Sequence, residues 1–467
     1  MNKAKTYDTY KPTDIGWLPN IPSHWEIVDT KRCFSFPKEI VGSDFTNFKV
    51  LSLSVNGVIF RDMASGAGKH HSDMGTYQII RPDSIVLCLF DMDVTPRIVG
   101  HSDKTGIITS AYVNIAPREN ISSKYYYYYF LLQDFNKYLF SQGTGIRTTL
   151  TRSQFGALKM ALPTPEEQTA IARFLDYKLA KINRFIRKKK QLIKLLNEQK
   201  AAIINQAITK GLDPNARMKD SGIEWLGEIP QNWEVRKIKH LGKAIIGLTY
   251  SPSDETNAEN GTLVLRSSNV QNEHITFDDC VYVTTEIPEI KRTKIGDILI
   301  CSRNGSIKLI GKNALIDEKS AGCSFGAFMT ILRSPNYHYL HYFFNSASFK
   351  AQSGLFFTST INQLTTGILN NILVTIPKTL EEQLAVVKFI KEETNVINIA
   401  ISKIEKEISL VEEYKTTLID EAVTGKINVR GFEVPEEESE EESYEDLEEE
   451  MSIAAEDGAE YQTEETE

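Results

Sequence analysis

The chain has 467 residues, enough for roughly two to four domains, and a composition of 41% hydrophobic and 25% charged residues that suits a soluble globular protein. No apolar run approaches the ~20 residues of a membrane span, the opening MNKAKTYDTYKPTD lacks a signal-like apolar core, and the scattered Cys33, Cys88, Cys280, Cys301 and Cys323 suit a reduced chain, so the expected location is cytoplasmic. The net charge of −9 is a local effect: residues 433–467 hold 18 Asp and Glu and no Lys or Arg, which leaves 53 basic against 44 acidic side chains elsewhere, a net of +9 that attracts polyanions.

The first recognisable element is DIGWLPNIPSHWEI at 14–27, which recurs as GIEWLGEIPQNWEV at 222–235. The copies share Ile15/Ile223, Trp17/Trp225, Leu18/Leu226, Ile21/Ile229, Pro22/Pro230, Trp25/Trp233 and Glu26/Glu234, and they contain every tryptophan of the chain. A region at 28–161 follows, in which KVLSLSV (49–55) and SIVLCLF (84–90) read as strands and YYYYYFLLQDFNKYLF (125–140) as a helix. The helical recurrence of its aromatic residues assigns them to a core rather than to base stacking. Next, LPTPEEQTAIARFL (162–175) opens a segment without Gly or Pro that closes on QAITKG. Its apolar residues Leu175, Leu179, Ile182, Ile186, Ile193, Leu196, Ile203 and Ala207 recur in steps of four and three, with Lys189 and Lys200 interrupting. A helix from about 166 to 209 would be ~66 Å long at 1.5 Å per residue.

The second copy repeats the plan. A region at 236–375 contains DILICSRNGSIKLIGK (297–312), read as a hairpin turning at Asn304-Gly305, and HYLHYFFNSASF (338–349), read as a helix. IPKTLEEQLAVVKFI (376–390) then opens a helix with the stripe Ile390, Thr394, Ile397, Ile401, Ile404, Ile408, Val411, Leu418 and Ala422, where Lys415 matches Lys200. The simplest partner for each stripe is the other, in an intramolecular coil; the alternative is that each packs on another subunit. Nine Lys/Arg and one Glu at 178–200, against three Lys and five Glu at 393–415, favour mutual contact. Lys210-Gly211 inverts Gly425-Lys426, so the two helices are expected to stop differently. The acidic tail is expected to be disordered, either as a solubilising segment or as a mimic of phosphate charge.

No catalytic constellation emerges. SGAGKH (65–70) has Met63 where a phosphate-cradling loop needs Gly and His70 where it needs Ser or Thr. His70-His71 and His338-x-x-His341 lack the further ligands of a metal site, and Glu289-x-Lys291 lacks converging carboxylates. There is no glycine-rich methyltransferase loop and no nucleophile elbow. A duplicated chain of this size without such a constellation reads as a recognition or scaffold device, and the rivals are an enzyme with unrecognised motifs or a coiled-coil scaffold that does not select DNA sequence.

The order of motifs over about 10–430, a W-L-x-x-IP-x-x-W-E element, a variable region, an EEQ-led long helix, and all three again, resembles the specificity subunit of type I restriction-modification systems. The resemblance implies an α+β chain in which two mixed α/β target recognition domains are separated by two long antiparallel coiled-coil helices in a pseudo-two-fold repeat. The division is then 1–161 (first recognition domain), 162–211 (first spacer helix), 212–375 (second recognition domain), 376–427 (second spacer helix) and 428–467 (acidic disordered tail). It implies a non-catalytic subunit that reads a bipartite, asymmetric site in double-stranded DNA and holds two adenine methyltransferase (modification) subunits, with restriction subunits completing the assembly. S-adenosylmethionine, ATP and magnesium belong to those partners; this chain would bind no cofactor and no metal. The expected spacer coil includes Ile182, Ile186, Ile193, Leu196, Ile397, Ile401, Ile404 and Ile408.

Candidate DNA-facing residues lie in polar loops at matching places. GTGIRTTLTR (143–152) and FTSTINQLTT (357–366) align through Leu150/Leu364 and Thr151/Thr365. Arg147, Thr148, Thr149 and Arg152 in the first, Thr360, Asn362 and Gln363 in the second, and Arg303 and Asn304 at the expected hairpin tip are the candidates. Glu166, Glu167, Gln168, Glu381, Glu382 and Gln383 have a local explanation at the positive end of a helix dipole; the resemblance adds that they face the modification subunits.

Overall fold

The computed structural model describes residues 5–55, 57–61, 74–224, 226–354 and 363–435. Its two long helices run Pro165–Lys210 (46 residues) and Leu380–Val423 (44 residues). The chain divides into two compact units, Met1–Lys188 with Lys406–Glu467, and Lys189–Glu405. That division falls inside both helices rather than at their ends, so each unit owns one of the two variable regions, the start of one long helix and the end of the other.

In the first unit, a four-stranded antiparallel sheet has the order Phe34–Ser35, Val113–Pro117, Ser84–Leu87, Val99–Ser102. Ser84–Leu87 is buried along its whole length, which is why the sequence shows a continuous apolar run there instead of alternation. Helix Ser123–Phe135 packs beside Val99–Ser102. Its tyrosines are core residues, and their hydroxyls explain why they are not phenylalanines, since a buried O–H requires a partner. Tyr126 donates to the Ala161 carbonyl (2.9 Å), Tyr129 accepts from the Ala161 N–H (3.2 Å), and Tyr125 donates to the Val423 carbonyl (3.0 Å).

The second unit repeats this topology with different residues. Its sheet has the order Lys243–Ile246, Met329–Arg333, Ile298–Cys301, Asn313–Leu315, again antiparallel. Helix Tyr337–Phe344 follows, and Tyr339 donates to the Ile208 carbonyl (3.1 Å) as Tyr125 does to Val423. A further four-stranded sheet of Glu255–Thr256, Val281–Val283, Thr262–Leu265 and Ser324–Phe325 is added.

In both units a two-stranded ribbon returns the chain to the tryptophan motif just before the long helix starts: Glu26–Asp29 with Lys159–Leu162, and Trp233–Lys237 with Leu373–Pro377. The fully buried Trp25 then donates its indole N–H to Glu167 Oε2 (3.1 Å), and His24 Nε2 lies 2.9 Å from the same oxygen. Trp233 donates to Glu382 Oε1 (2.7 Å), with Asn232 Nδ2 donating to Oε2 (2.8 Å). Each indole also packs against the end of the other long helix. Gly425 lies so close to Pro22 and Trp25 that a Cβ there would meet them at 2.7 and 3.0 Å; Gly211 lies against Trp233, where a Cβ would stand at 3.3 Å. Both glycines are left-handed, with φ of +73° and +74°, yet the helices stop differently, as the inverted order leads one to expect: the first runs to Lys210 with Gly211 directly after it, whereas the second stops at Val423, two residues before Gly425.

The stripes follow the heptad pattern. Leu175, Leu179, Ile186 and Ala207 are buried and Ile182, Ile193, Leu196 and Ile203 half-buried; on the second helix Ile390, Thr394, Ile397, Ile404, Ile408, Leu418 and Ala422 are buried, Ile401 and Val411 half-buried. In the first unit Ile171, Leu175 and Leu179 share a core with Leu418, Ile419 and Ala422, and Lys415 Nζ donates to Asn183 Oδ1 (2.9 Å), so the segments run antiparallel. In the second, Ile204, Ala207 and Ile208 share a core with Val386, Val387 and Ile390.

Two expectations need correction. The hairpin after Ile298–Cys301 does not turn at Asn304-Gly305. Ile298 pairs with Leu315 and Ile300 with Asn313, so eleven residues, 302–312, form the connection. The Asn304 side chain accepts from the Ser306 N–H (2.9 Å), an Asx turn that redirects the chain out of the sheet. Nor does the tail begin at 428: Ile427 and Val429 are buried and Phe432 packs edge-on to Phe174 at 5.0 Å, so the core of the first unit extends to residue 432.

His341 is buried, with Nδ1 3.2 Å from Asn313 Oδ1, and burial pushes its pKa down to about 4. The folded chain therefore holds it neutral between pH ~6.5 and 4, where the unfolded chain is protonated, so its contribution to stability is complete above about pH 7 and declines as the pH falls through that window.

Replacing Glu167 with Leu leaves the buried Trp25 N–H without an acceptor and should lower the unfolding free energy by about 1–3 kcal/mol, whereas Glu167→Gln retains an acceptor oxygen and should cost less. Urea denaturation of the two variants checks this, and equal losses would refute the tie. Separately, lowering the pH from 7.5 to 5 should cost the native chain about 2 kcal/mol more than the His341→Gln variant, from ~1.4 kcal/mol per pH unit over the interval in which only the unfolded histidine is protonated. Parallel pH profiles for the two proteins would contradict that assignment.

Candidate nucleic-acid interface

The sheet of each unit ends in a connection that meets the loop preceding the last short helix, and these meetings assemble most of the residues singled out by sequence. In the first unit the Leu150 N–H donates to the Leu89 carbonyl (2.8 Å), and the Asp91 N–H to the Arg147 carbonyl (2.9 Å). Thr144 and Thr149 exchange backbone hydrogen bonds of 3.0 and 2.9 Å, closing a tip in which Gly145 and Thr148 both have positive φ. Leu150 is buried beneath the tip, which forces Ile146 and Arg147 outward; Ile146 is fully exposed, and Arg147 Nε lies 3.8 Å from Asp91 Oδ1. With both partners near water, that ion pair contributes little to stability and leaves the guanidinium available.

In the second unit the Leu364 N–H donates to the Ser302 carbonyl (2.7 Å), the equivalent anchor. Arg303 forms a β-bridge with Gln363, and the Ser302 and Arg303 N–H groups both donate to the Phe328 carbonyl (2.9 and 3.1 Å). The Arg303 guanidinium lies over the Phe328 ring, 5.1 Å from its centroid. Asn304 is fastened by Ser306 and by Ser267 (3.3 Å), so it shapes the loop rather than reaching outward. Thr360 and Asn362 lie outside the described residues.

The same capping geometry closes both loops. Thr151 Oγ1 accepts from the Gln154 N–H (3.3 Å) and Thr365 Oγ1 from the Ile368 N–H (3.2 Å), starting the helices Arg152–Ala157 and Thr366–Asn371. Arg152 therefore stands on the helix, half-buried, apart from the Arg147 tip. Phe328 and Asp91 escaped the sequence reading; the only signal for Phe328 was a bulky aromatic between a glycine-alanine pair and a strand.

The EEQ residues separate into two kinds. Glu166 and Glu381 are exposed. Glu167 is occupied by Trp25 and His24 and Glu382 by Trp233 and Asn232, while Gln168 accepts from the Ser122 N–H (2.8 Å) and donates to the Pro163 carbonyl (2.9 Å), and Gln383 donates to the Pro377 carbonyl (3.0 Å). Glu167, Gln168 and Gln383 are buried, so these three are internal ties and cannot form a contact surface. The groups considered for catalysis or metal binding are engaged elsewhere: Lys291 donates to the Gly247 carbonyl (2.7 Å), Glu289 lies near Arg292 and Lys294, and burial pushes the Cys301 thiol up to about 11. His70 and His71 lie outside the described residues. Among those described, no group of three or more His, Cys, Asp or Glu side chains is arranged to hold a metal ion.

Comparison with known proteins follows the duplication. The family described as type I restriction modification DNA specificity domain matches residues 102–195 and 230–410, more than half of the chain. The specificity subunit of the type I restriction enzyme MjaVIII of Methanocaldococcus jannaschii is 29% identical over 369 residues, 76% of this chain and 82% of its own. That of EcoKI from Escherichia coli is 24% identical over 212 residues, 43% of this chain and 44% of its own. A solved chain from work on complex assembly and conformational transition of the type I R-M system has the same fold, with a TM-score of 0.60 at 14% identity over 86% of this chain and 98% of that one.

Proposed function

The chain belongs to the family of type I restriction-modification DNA specificity subunits, and from that membership we propose that it reads a bipartite, asymmetric DNA site through one loop pair per unit. The observation that carries this reading is two frames of the same strand order that present unlike side chains at their equivalent loops. Arg147 and Ile146 project near Asp91 in one unit; Arg303, Phe328 and Gln363 meet in the other. Like frames suit the repeated backbone of duplex DNA, and unlike tips give each half-site its own sequence.

In this reading the chain supplies recognition and assembly, and its partners supply the chemistry. Two modification subunits, one per repeat, carry S-adenosylmethionine and methylate adenine; restriction subunits use ATP and magnesium. Glu166 and Glu381, the exposed first-turn acids, are the part of the EEQ motif that a partner subunit can reach. The long helices set the unread gap between the half-sites, because a continuous helix changes length only by its 1.5 Å rise per residue.

Mapping methylated adenines in DNA from cells that contain this chain and its modification subunits should return one motif of two unlike half-sites with a fixed gap; a single contiguous motif would contradict the reading. Inserting one heptad into each long helix, after Lys190 and after Glu405, preserves the stripe phase and lengthens each helix by ~10.5 Å. The gap should widen by about three base pairs at ~3.4 Å each, and an unchanged gap would remove helix length as its determinant.

A further inference from the structure

We propose that Arg303 reads a guanine in the half-site taken by the second unit, and that Phe328 is the positioning residue that holds its guanidinium for that contact. The proposal rests on the DNA-recognition reading above and adds a residue-level rule for one base pair.

The first support is charge. Four of the other five arginines of the second unit lie beside carboxylates: Arg266 by Asp279 (2.7 Å), Arg333 by Asp297 (2.7 Å), Arg236 by Glu234 (3.7 Å) and Arg292 by Glu289 (3.9 Å); the fifth, Arg217, lies outside the loop pair. Arg303 is exposed and, among the described residues, has no carboxylate within 4 Å. Its cation rests instead on the Phe328 ring, which attracts it through the π face without taking up its N–H donors. The five donors of the fork stay free for a ligand.

The second support is rigidity. Phe328 is 57% exposed, an unusual position for a phenylalanine, and covering one face of a guanidinium gives the ring a role there. The backbone beneath is fixed from two sides, by the Ser302 and Arg303 N–H groups on the Phe328 carbonyl and by the bridge from Arg303 to Gln363. A stacked, anchored arginine forfeits less side-chain freedom on binding than a free one. A planar fork of this kind matches the O6 and N7 acceptors of guanine in the major groove, the pairing that gives the largest base discrimination available to an arginine. A phosphate also accepts such a fork, but a phosphate contact needs only the positive charge.

The test uses the full chain assembled with its modification subunits, on the mapped target and on duplexes carrying each single base-pair change. Native protein should prefer G·C at one position of the second-unit half-site. Arg303→Ala and Arg303→Lys should both lose that preference by about 5- to 150-fold, the span of a bidentate arginine–guanine pair. Arg303→Lys should nevertheless keep the native affinity for scrambled DNA and the native salt dependence. Phe328→Leu, at an exposed position that tolerates the change, should weaken the same preference while leaving the salt dependence and the first-unit half-site untouched; that retained half-site also verifies folding. If Arg303→Ala discriminates at that position as the native protein does, or weakens all sequences equally with a shallower salt dependence, Arg303 does not read the base and the proposal is overturned. Native discrimination by Phe328→Leu overturns the positioning role. A native complex that fails to distinguish its mapped target from scrambled DNA would instead refute the recognition reading beneath it.

Discussion

Each unit is organised around one buried indole. Trp25 and Trp233 each receive the start of one long helix through a hydrogen bond to a glutamate, and the end of the other through a left-handed glycine packed close against the ring. Hydrogen bonding and close packing act there on a single ring. Satisfying the buried N–H fixes where the first helix begins, and the absence of a side chain at Gly425 or Gly211 fixes how near the second can come. Tyr125 and Tyr339 add the last constraint by donating to the carbonyls of Val423 and Ile208 in the last turns of the two helices, the latter shared with the Thr375 hydroxyl.

The consequence is that neither sequence repeat folds as a self-contained unit. The first recognition region is completed by residues after 406 and the second by residues before 210, so the compact units cut across the linear repeats. This crossing explains a division of labour along the sequence. Trp25/Trp233, Pro22/Pro230 and Glu167/Glu382 at the indole nodes are repeated between copies, because both copies must solve the same packing problem. The loop tips differ, since the core does not dictate them: Ile146 and Arg147 point away from the core that Leu150 anchors, and Arg303 rests on an exposed ring.

Much of this was legible in the sequence because it depends on periodicity. The two stripes from Leu175 and from Ile390 give steps of four and three, and burial along both helices follows those steps. The tyrosine run at 125–129 reads as helical core from spacing alone. Long-range partners left no local trace. Glu167 looks like a first-turn acid stabilised by the helix dipole, and its bond to an indole 142 residues away is invisible until the fold closes. Asn304-Gly305 carries the signature of a tight hairpin, but the Asn304 side chain bonds its own loop, and the second strand starts only at Asn313. Arg303 stands out in the sequence because loop arginines are candidate readers; Phe328 does not, because what distinguishes it is the cation over its ring.

The central claim is that the frames are interchangeable and the tips carry the information. Replacing residues 26–162 with 234–376 keeps the junctions at the tryptophan motif and at the start of the long helix, and furnishes the chain with two copies of the second reader. Methylation mapping of that chimera with its modification subunits should yield a symmetric target, the second-unit half-site repeated in opposite orientation about the gap. A chimera that still recognises the original first half-site would show that sequence choice resides outside these regions, and the account would fail.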